Sequence, residues 1–117
     1  MERYTDTITG EELYVKSGEV YKFYYKDKDR TIRHRIDGPS NIWSDGHKEW
    51  YANGKLHRTD GPAIEYTDGH KEWYANGKLH RLDGPAYESA DGSKAWWVDG
   101  VFIMTINEAG KVINRMK

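Results

Sequence analysis

Residues 50–61 read WYANGKLHRTDG, and residues 73–84 read WYANGKLHRLDG, which is the same string displaced by 23 positions with one difference. The identity extends into the flanking DGPA and DGHKE segments. A fixed period of this length is typical of proteins that stack one supersecondary unit on the next. The period therefore decides the fold, and each recurring residue has to be interpreted first as part of the repeat.

Looser copies of the unit flank the two clear ones. RHRIDGPS precedes them, and DGSKAWWVDG follows them before the pattern ends. The chain upstream of the repeats contains an aromatic segment, YKFYY, that we interpret as a degenerate strand. We divide the chain into an irregular N-terminal cap over residues 1–32, the repeats over residues 33–100 and C-terminal capping strands over residues 101–117.

Glycine turns recur at two places in each unit. Asn-Gly and Asp-Gly supply the positive φ angles that two-residue hairpin turns need. A DGP sequence adds a third bend, because proline fixes φ and removes an amide donor. We therefore predict one hairpin and one looped connection per unit, with strands over residues 63–67 and 71–75 in the second full unit. One series of turns, all Asp-Gly, ends at Gly46, Gly69 and Gly92. The second series, Asn-Gly in the two clear units and Asp-Gly in the last, ends at Gly54, Gly77 and Gly100.

These signals predict an all-β fold, an elongated antiparallel β-meander in which stacked 23-residue hairpins form a single sheet. Strands lie about 4.8 Å apart, so equivalent residues of neighbouring units should lie about 10 Å apart on one face. Adjacent residues of a strand point to opposite faces, which predicts two aromatic ladders. One ladder contains Trp50, Trp73 and Trp96, and the other contains Tyr51, Tyr74 and Trp97.

Composition narrows the classes of partner. Only 37% of residues are apolar, the formal net charge is −1, and there is no cysteine. A neutral chain has no field that gathers long nucleic acid, and the lack of cysteine fits a reducing compartment. The polar start lacks the features of a signal peptide, and the chain has no run of eighteen apolar residues. We expect a cytoplasmic protein without a transmembrane segment.

The run NGKLHRTDGPAIEYTDGHKEWY resembles the MORN repeat and its bacterial variants, including those of YwqK-type antitoxin proteins. The resemblance covers residues 33–100, although Arg58 and Arg81 stand where the MORN pattern has glycine after histidine. It implies a hairpin in each unit, an elongated single sheet, and protein binding or scaffolding rather than chemistry.

The recurring polar residues are predicted to serve the architecture. Equivalent histidines about 10 Å apart cannot share a zinc ion, whose ligands lie about 2.0–2.1 Å from the metal. We expect His57 and His80 to bond a neighbouring Asp-Gly turn or an adjacent unit, with Asp60 or Asp83 as the partner of His57. No nucleophile, phosphate-loop or metalloprotease motif is present, and tandem glutamates lack the two distinct environments of an acid–base pair. We therefore predict no enzyme activity, no metal and no cofactor.

The leading hypothesis is a protein-interaction module of bacterial or phage type, with an immunity, antitoxin or host-inhibitor role. One alternative is a phage anti-defence protein that sequesters a nucleotide signal between aromatic and arginine rows. Another is a purely structural or designed repeat. The sheet ends also allow self-association. The arginines have a second interpretation, pairing with the aspartates two residues on. The candidate binding surface consists of Tyr51, Tyr74, Trp97, Arg35, Arg58 and Arg81.

Overall fold

The computed structural model describes residues 2–116, and within that range every regular element is a β-strand. Eleven strands form one antiparallel sheet, and the molecule measures 51 × 27 × 21 Å along its principal axes. The predicted fold class is therefore confirmed. Among the described residues no helix is long and apolar enough to cross a membrane.

The strands are short, and most contain two or three residues within the repeats. They run in chain order through the sheet, except that two pairs leave it as separate two-stranded hairpins. The strands are β1 (Arg3–Thr5), β2 (Glu12–Ser17), β3 (Tyr21–Tyr25), β4 (Asn41–Trp43), β5 (Lys48–Glu49), β6 (Tyr51–Ala52), β7 (Lys55–Leu56), β8 (Ile64–Glu65), β9 (Lys71–Glu72), β10 (Tyr74–Ala75), β11 (Lys78–Leu79), β12 (Tyr87–Glu88), β13 (Lys94–Val98), β14 (Val101–Ile106) and β15 (Val112–Arg115).

Each full repeat contains two hairpins rather than one hairpin and a loop. The predicted strand over residues 71–75 is divided at Trp73, so β9 pairs in the main sheet and β10 pairs with β11. The Trp73 N–H donates to the carbonyl of Ala86 at 2.7 Å, after which the chain leaves the sheet and reverses at the Asn-Gly turn. The connection that we predicted to be a loop thus contains a second ladder, β6–β7 or β10–β11.

The two kinds of glycine turn differ in geometry. Asn76 and Gly77 both have positive φ, at 51° and 81°, as a two-residue hairpin requires. At the Asp-Gly turns that end at Gly46, Gly69 and Gly92 only the glycine has positive φ, which is 100° at Gly69. There the Tyr66 N–H donates to the carbonyl of His70 around a three-residue loop. The prediction of two-residue turns is therefore confirmed for the series that ends at Gly54, Gly77 and Gly100, where Asp99 also has a positive φ of 49°. It is wrong for the series that ends at Gly46, Gly69 and Gly92, where the aspartate stays out of positive φ and, at Asp68, accepts the His70 N–H at 3.0 Å.

The Asn-Gly hairpins stack on one another along the molecule. The Gly77 N–H donates to the carbonyl of Leu56 at 2.8 Å, and the Arg58 N–H donates to the carbonyl of Tyr74 at 3.2 Å. Each hairpin is thus bonded to its counterpart one repeat away. These links order the hairpins although they lie outside the main sheet.

The register of the main sheet separates its side chains into two faces, because cross-strand partners point the same way. We call one face the ring face; its central row is made by directly paired residues. The central row of the opposite face alternates lysine with glutamate. We call this the tryptophan face, because Trp50 and Trp73 lie on it. The ring-face row contains Phe23, Asn41, Glu49, Ile64, Glu72, Tyr87 and Ala95, and the other contains Lys48, Glu65, Lys71, Glu88 and Lys94.

The N-terminal cap is regular in structure although not in sequence, since β1, β2 and β3 continue the same sheet. Leu13, Val15 and Tyr24 form its buried core. Asp6 is 1% exposed and joins the cap to the first repeat, because its carboxylate accepts the N–H groups of Ile8, Thr9, Ile36 and Asp37. Burial raises the pKa of Asp6, but these four donors outweigh burial and lower it below its usual range.

At the Asp-Gly turn that ends at Gly69, a side chain added to the glycine should cost stability only through the backbone conformation. A Cβ at Gly69 meets no atom within 4 Å, so Gly69→Val should destabilise the protein only through its φ of 100°. We expect a loss of about 1–2 kcal/mol or more in urea unfolding, because a β-branched residue resists this region. Thr59→Val, at an exposed loop residue, is the control. Equal midpoints for both variants would refute the turn assignment.

Stability should fall in acid because of the Asp6 junction. A lowered folded-state pKa means that the contribution is complete above the unfolded pKa of about 4 and is lost as pH falls through the folded value. Asp6→Asn should therefore cost about 1–3 kcal/mol at pH 7 and flatten the dependence of stability on pH below 5. Urea melts from pH 7 to pH 2 measure this, with the exposed Asp29→Asn as control; an unchanged acid slope would contradict it.

Candidate functional site

A continuous row of rings crosses the ring face from β3 to β12. Centroid distances between successive rings run from 4.1 Å, between His47 and Tyr66, to 5.2 Å, and most contacts are edge-on. Tyr66, at the centre, is 45% exposed. Pairs of this geometry contribute about 0.5–1.5 kcal/mol each beyond area burial. We call this set the ring row; it contains Tyr21, Phe23, Trp43, His47, Tyr66, His70 and Tyr87.

Two carboxylates lie beside the ring row and fix its histidines. The Nε2 atom of His70 is 2.7 Å from one oxygen of Glu72, and the Tyr74 hydroxyl donates to the other at 2.7 Å. The side chain of Glu72 is 17% exposed. Burial and then the bond to Glu72 raise the pKa of the Tyr74 hydroxyl, so it stays a donor. His47 and Glu49 repeat the arrangement one unit earlier at 3.1 Å.

The tryptophan face is covered by arginine. The Arg58 guanidinium lies 3.8 Å from the centroid of the Trp50 ring, and its nitrogens donate to Asp60 at 2.8 Å, to the carbonyl of Pro62 at 3.0 Å and to Glu65 at 2.9 Å. We call this arrangement the arginine bracket. It is repeated one unit later, where Arg81 lies 4.0 Å from Trp73 and bonds Asp83 at 3.0 Å, the carbonyl of Pro85 at 3.1 Å and Glu88 at 3.2 Å.

The first bracket takes its rings from the N-terminal strands. The Arg35 guanidinium lies 4.2 Å from the Tyr24 centroid and 4.7 Å from that of Tyr4, and its Nε donates to Asp37 at 2.6 Å. Burial opposes ionisation of Asp37, but the Thr7 N–H, the Tyr4 hydroxyl and Arg35 together hold the pKa of Asp37 well below its usual range. All three copies of the bracket contain an arginine–aspartate ion pair, and in the first copy that pair is buried.

The second histidine series connects units. The Nδ1 atoms of His57 and His80 accept the N–H groups of Asn76 and Asp99, at 3.0 and 2.9 Å. Each histidine therefore bonds an adjacent unit, at the turns that end at Gly77 and Gly100. Asp60 and Asp83, which we expected as partners of His57, bond the bracket arginines instead.

The residues of the predicted binding surface do not form one surface. Tyr74 bonds Glu72 on the ring face, and Trp97 packs on Phe102 at 5.4 Å, whereas Arg58 lies on Trp50 on the other side. The arginines of the predicted surface lie on the tryptophan face, away from Tyr74. Tyr51 lies with Arg33, whose guanidinium is 5.6 Å from its ring, and Trp96 pairs in register with Met104.

The ring row is not evident from the repeat pattern because it combines two different positions of the unit. Tyr66 and His70 belong to one hairpin, but the other neighbour of Tyr66 is His47, 19 residues earlier. A comparison at the repeat period alone does not reveal that contact. The available signal was the recurrence of an aromatic residue four positions before histidine, as in Trp43 and Tyr66.

Within residues 2–116 no three His, Cys, Asp or Glu side chains are grouped in a way that could hold a metal ion. Comparison with protein-family models, with curated proteins and with solved structures finds no match. The function must therefore be argued from the surfaces themselves.

The arginine bracket predicts coupling between Arg58 and Gly61. A Cβ at Gly61 would lie 2.9 Å from the Arg58 Cζ, so Gly61→Ala should displace the guanidinium from Trp50 and cost about 1–3 kcal/mol. In an Arg58→Ala background that cost should largely disappear, giving a coupling energy of about 0.5 kcal/mol or more in a double-mutant cycle.

Gly69→Ala is the matched control for this cycle. Its strain comes from φ and no atom lies within 4 Å of its Cβ, so its cost should be the same with or without Arg58. Additive effects for Gly61→Ala and Arg58→Ala would show that the bracket does not depend on the glycine.

Proposed function

We propose that the chain is a non-catalytic, cytoplasmic protein-interaction module of bacterial or phage type, and that it binds its partner through the ring face. The observation that carries the proposal is the ring row, which runs unbroken across the strands from Tyr21 to Tyr87. Rings provide large contact area at low entropy cost, which is why they dominate protein interfaces.

The two faces differ in what they offer a partner. On the tryptophan face, the rings of Trp50 and Trp73 lie under guanidinium groups, so the chain itself covers them. On the ring face, Tyr66 remains 45% exposed between two histidines. A partner that covers the ring row gains apolar burial without displacing an ion pair.

The bracket contacts weigh against nucleotide sequestration by the arginine rows. Each guanidinium already stacks on a ring and donates to an aspartate and a proline carbonyl. A phosphate would have to displace those partners, and at Arg35 it would leave the Asp37 carboxylate, whose side chain is 4% exposed, without its counter-ion. The immunity, antitoxin or inhibitor role is supported only by the resemblance to MORN-type repeats.

The test exploits the repeat itself. Ser89 stands in the last unit where Tyr66 stands in the one before, so Tyr66→Ser introduces a residue that this position already carries. A photo-crosslinking residue placed at Thr67, beside Tyr66, should couple the chain to one protein in lysate of the native host, and Tyr66→Ser should reduce that yield about ten-fold or more.

Leu82→Thr is the matched control on the tryptophan side. Leu82 is 80% exposed, and Thr59 occupies its position one repeat earlier, so this change also stays within the repeat. It should leave the crosslink unchanged. Equal loss in both variants, or an undiminished crosslink in Tyr66→Ser with unchanged melting temperature, would refute binding through the ring row.

A further inference from the structure

A largely apolar cleft of about 370 Å³ opens on the ring face at the C-terminal end of the repeats. Tyr87, Trp97 and Phe102 line it with aromatic rings, and Glu72 contributes a carboxylate. Trp97 and Phe102 meet at an interplanar angle of 70°, so they present a corner rather than a flat stack. The volume is within the range of about 300–1,000 Å³ that is usual for small-ligand sites.

The cleft exists because the last repeat departs from the others at this place. Compared with the preceding repeat, three positions carry a larger aromatic side chain and two carry a smaller side chain. One unit earlier, His70 and Glu72 fill the positions that are now open, and they bond one another at 2.7 Å. The departures are Tyr87 for Ile64, Trp97 for Tyr74 and Phe102 for Leu79, which enlarge, and Ser93 for His70 and Ala95 for Glu72, which shrink.

The charge of the cleft selects a cation. Glu72 is the acidic residue of its lining, and the basic one, Lys94, pairs in register with Glu88 in the lysine–glutamate row of the opposite face. Aromatic faces attract cations through their quadrupoles, by about 0.5–2 kcal/mol for each contact. A carboxylate beside three rings therefore favours a positively charged ligand over a neutral or anionic one.

The hydrogen bonds of Glu72 narrow the class of cation. One carboxylate oxygen accepts from the Tyr74 hydroxyl, and the other bonds His70. The carboxylate thus offers its charge while its oxygens already have donors. A cation without N–H groups, whose methyl groups pack on rings, satisfies this cleft better than a hydrated primary amine.

We propose that this cleft binds a quaternary ammonium group, with Tyr87, Trp97 and Phe102 as its aromatic walls and Glu72 as its counter-ion. The site goes beyond the proposed protein-interaction function, although Tyr87 also ends the ring row. The same group occurs in free choline-type molecules and in trimethylated lysine side chains, and the cleft recognises their shared chemistry.

Titration followed by NMR tests the site, with choline, tetramethylammonium and a trimethyllysine peptide as probes. At least one should bind and shift the signals of Ala95 and the Trp97 indole. Choline binding identifies a free ligand, and binding of the peptide alone identifies a side chain. The neutral analogue 3,3-dimethylbutan-1-ol should bind about ten-fold more weakly than choline or not at all. No binding by any cation, or equal binding by the alcohol, would overturn the proposal.

Three variants locate the binding. Glu72→Gln and Trp97→Ala should each weaken it about ten-fold or more, whereas Glu49→Gln, the same change one repeat earlier, should not. The double variant Ser93→His with Ala95→Glu restores the residues of the preceding unit; it should close the cleft and abolish binding while the melting temperature is kept. Retained binding in this variant would place the ligand elsewhere. Tyr66→Ser should leave binding intact, which separates this site from the protein interface.

Discussion

The eleven-stranded sheet is built from very short strands whose faces need cover from the rest of the chain, and this constraint governs the whole molecule. Each repeat must bury one face with its own chain, and the arginine bracket does so. A planar guanidinium can lie flat on a tryptophan and still donate in its plane to several acceptors, which a lysine ammonium cannot do. The bracket thus turns an exposed indole into a covered one while leaving no cation unpaired.

The DGP loop is shaped for that guanidinium. Its aspartate supplies the counter-charge, its proline supplies a carbonyl, and its glycine leaves the space in which the guanidinium lies. The same requirement explains the N-terminal strands. No unit precedes Arg35, and Tyr4 and Tyr24 of β1 and β3 provide the rings that tryptophan provides later. A segment outside the repeat in sequence therefore completes the repeat in structure.

The period, the positions of the glycine turns and the all-β class could be predicted from sequence, because positive φ and periodicity are local properties. The division of each unit into two hairpins could not. It depends on Trp73, whose N–H bonds Ala86 in the main sheet while its carbonyl accepts from His80 in the second hairpin. The alternation of residues 71–75 does not predict this change of partner. The face on which the arginines lie could not be predicted for a related reason. A recurring charged residue does not indicate its face of the sheet until the ring on which it stacks is known.

The ring row shows why repeated residues and departures carry different information. His47 and His70 each recur because a ring at that position contacts the rings on both sides of it, so their recurrence follows from stacking alone. Stacking would be served equally by a third histidine at Ser93 and a third glutamate at Ala95. Their loss removes contacts, while Tyr87, Trp97 and Phe102 add ring surface around the space that results. These changes weaken the row of stacked rings at the last repeat and add aromatic surface at the same place. Ring stacking does not explain them, and this supports the proposal that the last repeat is the specialised part of the array.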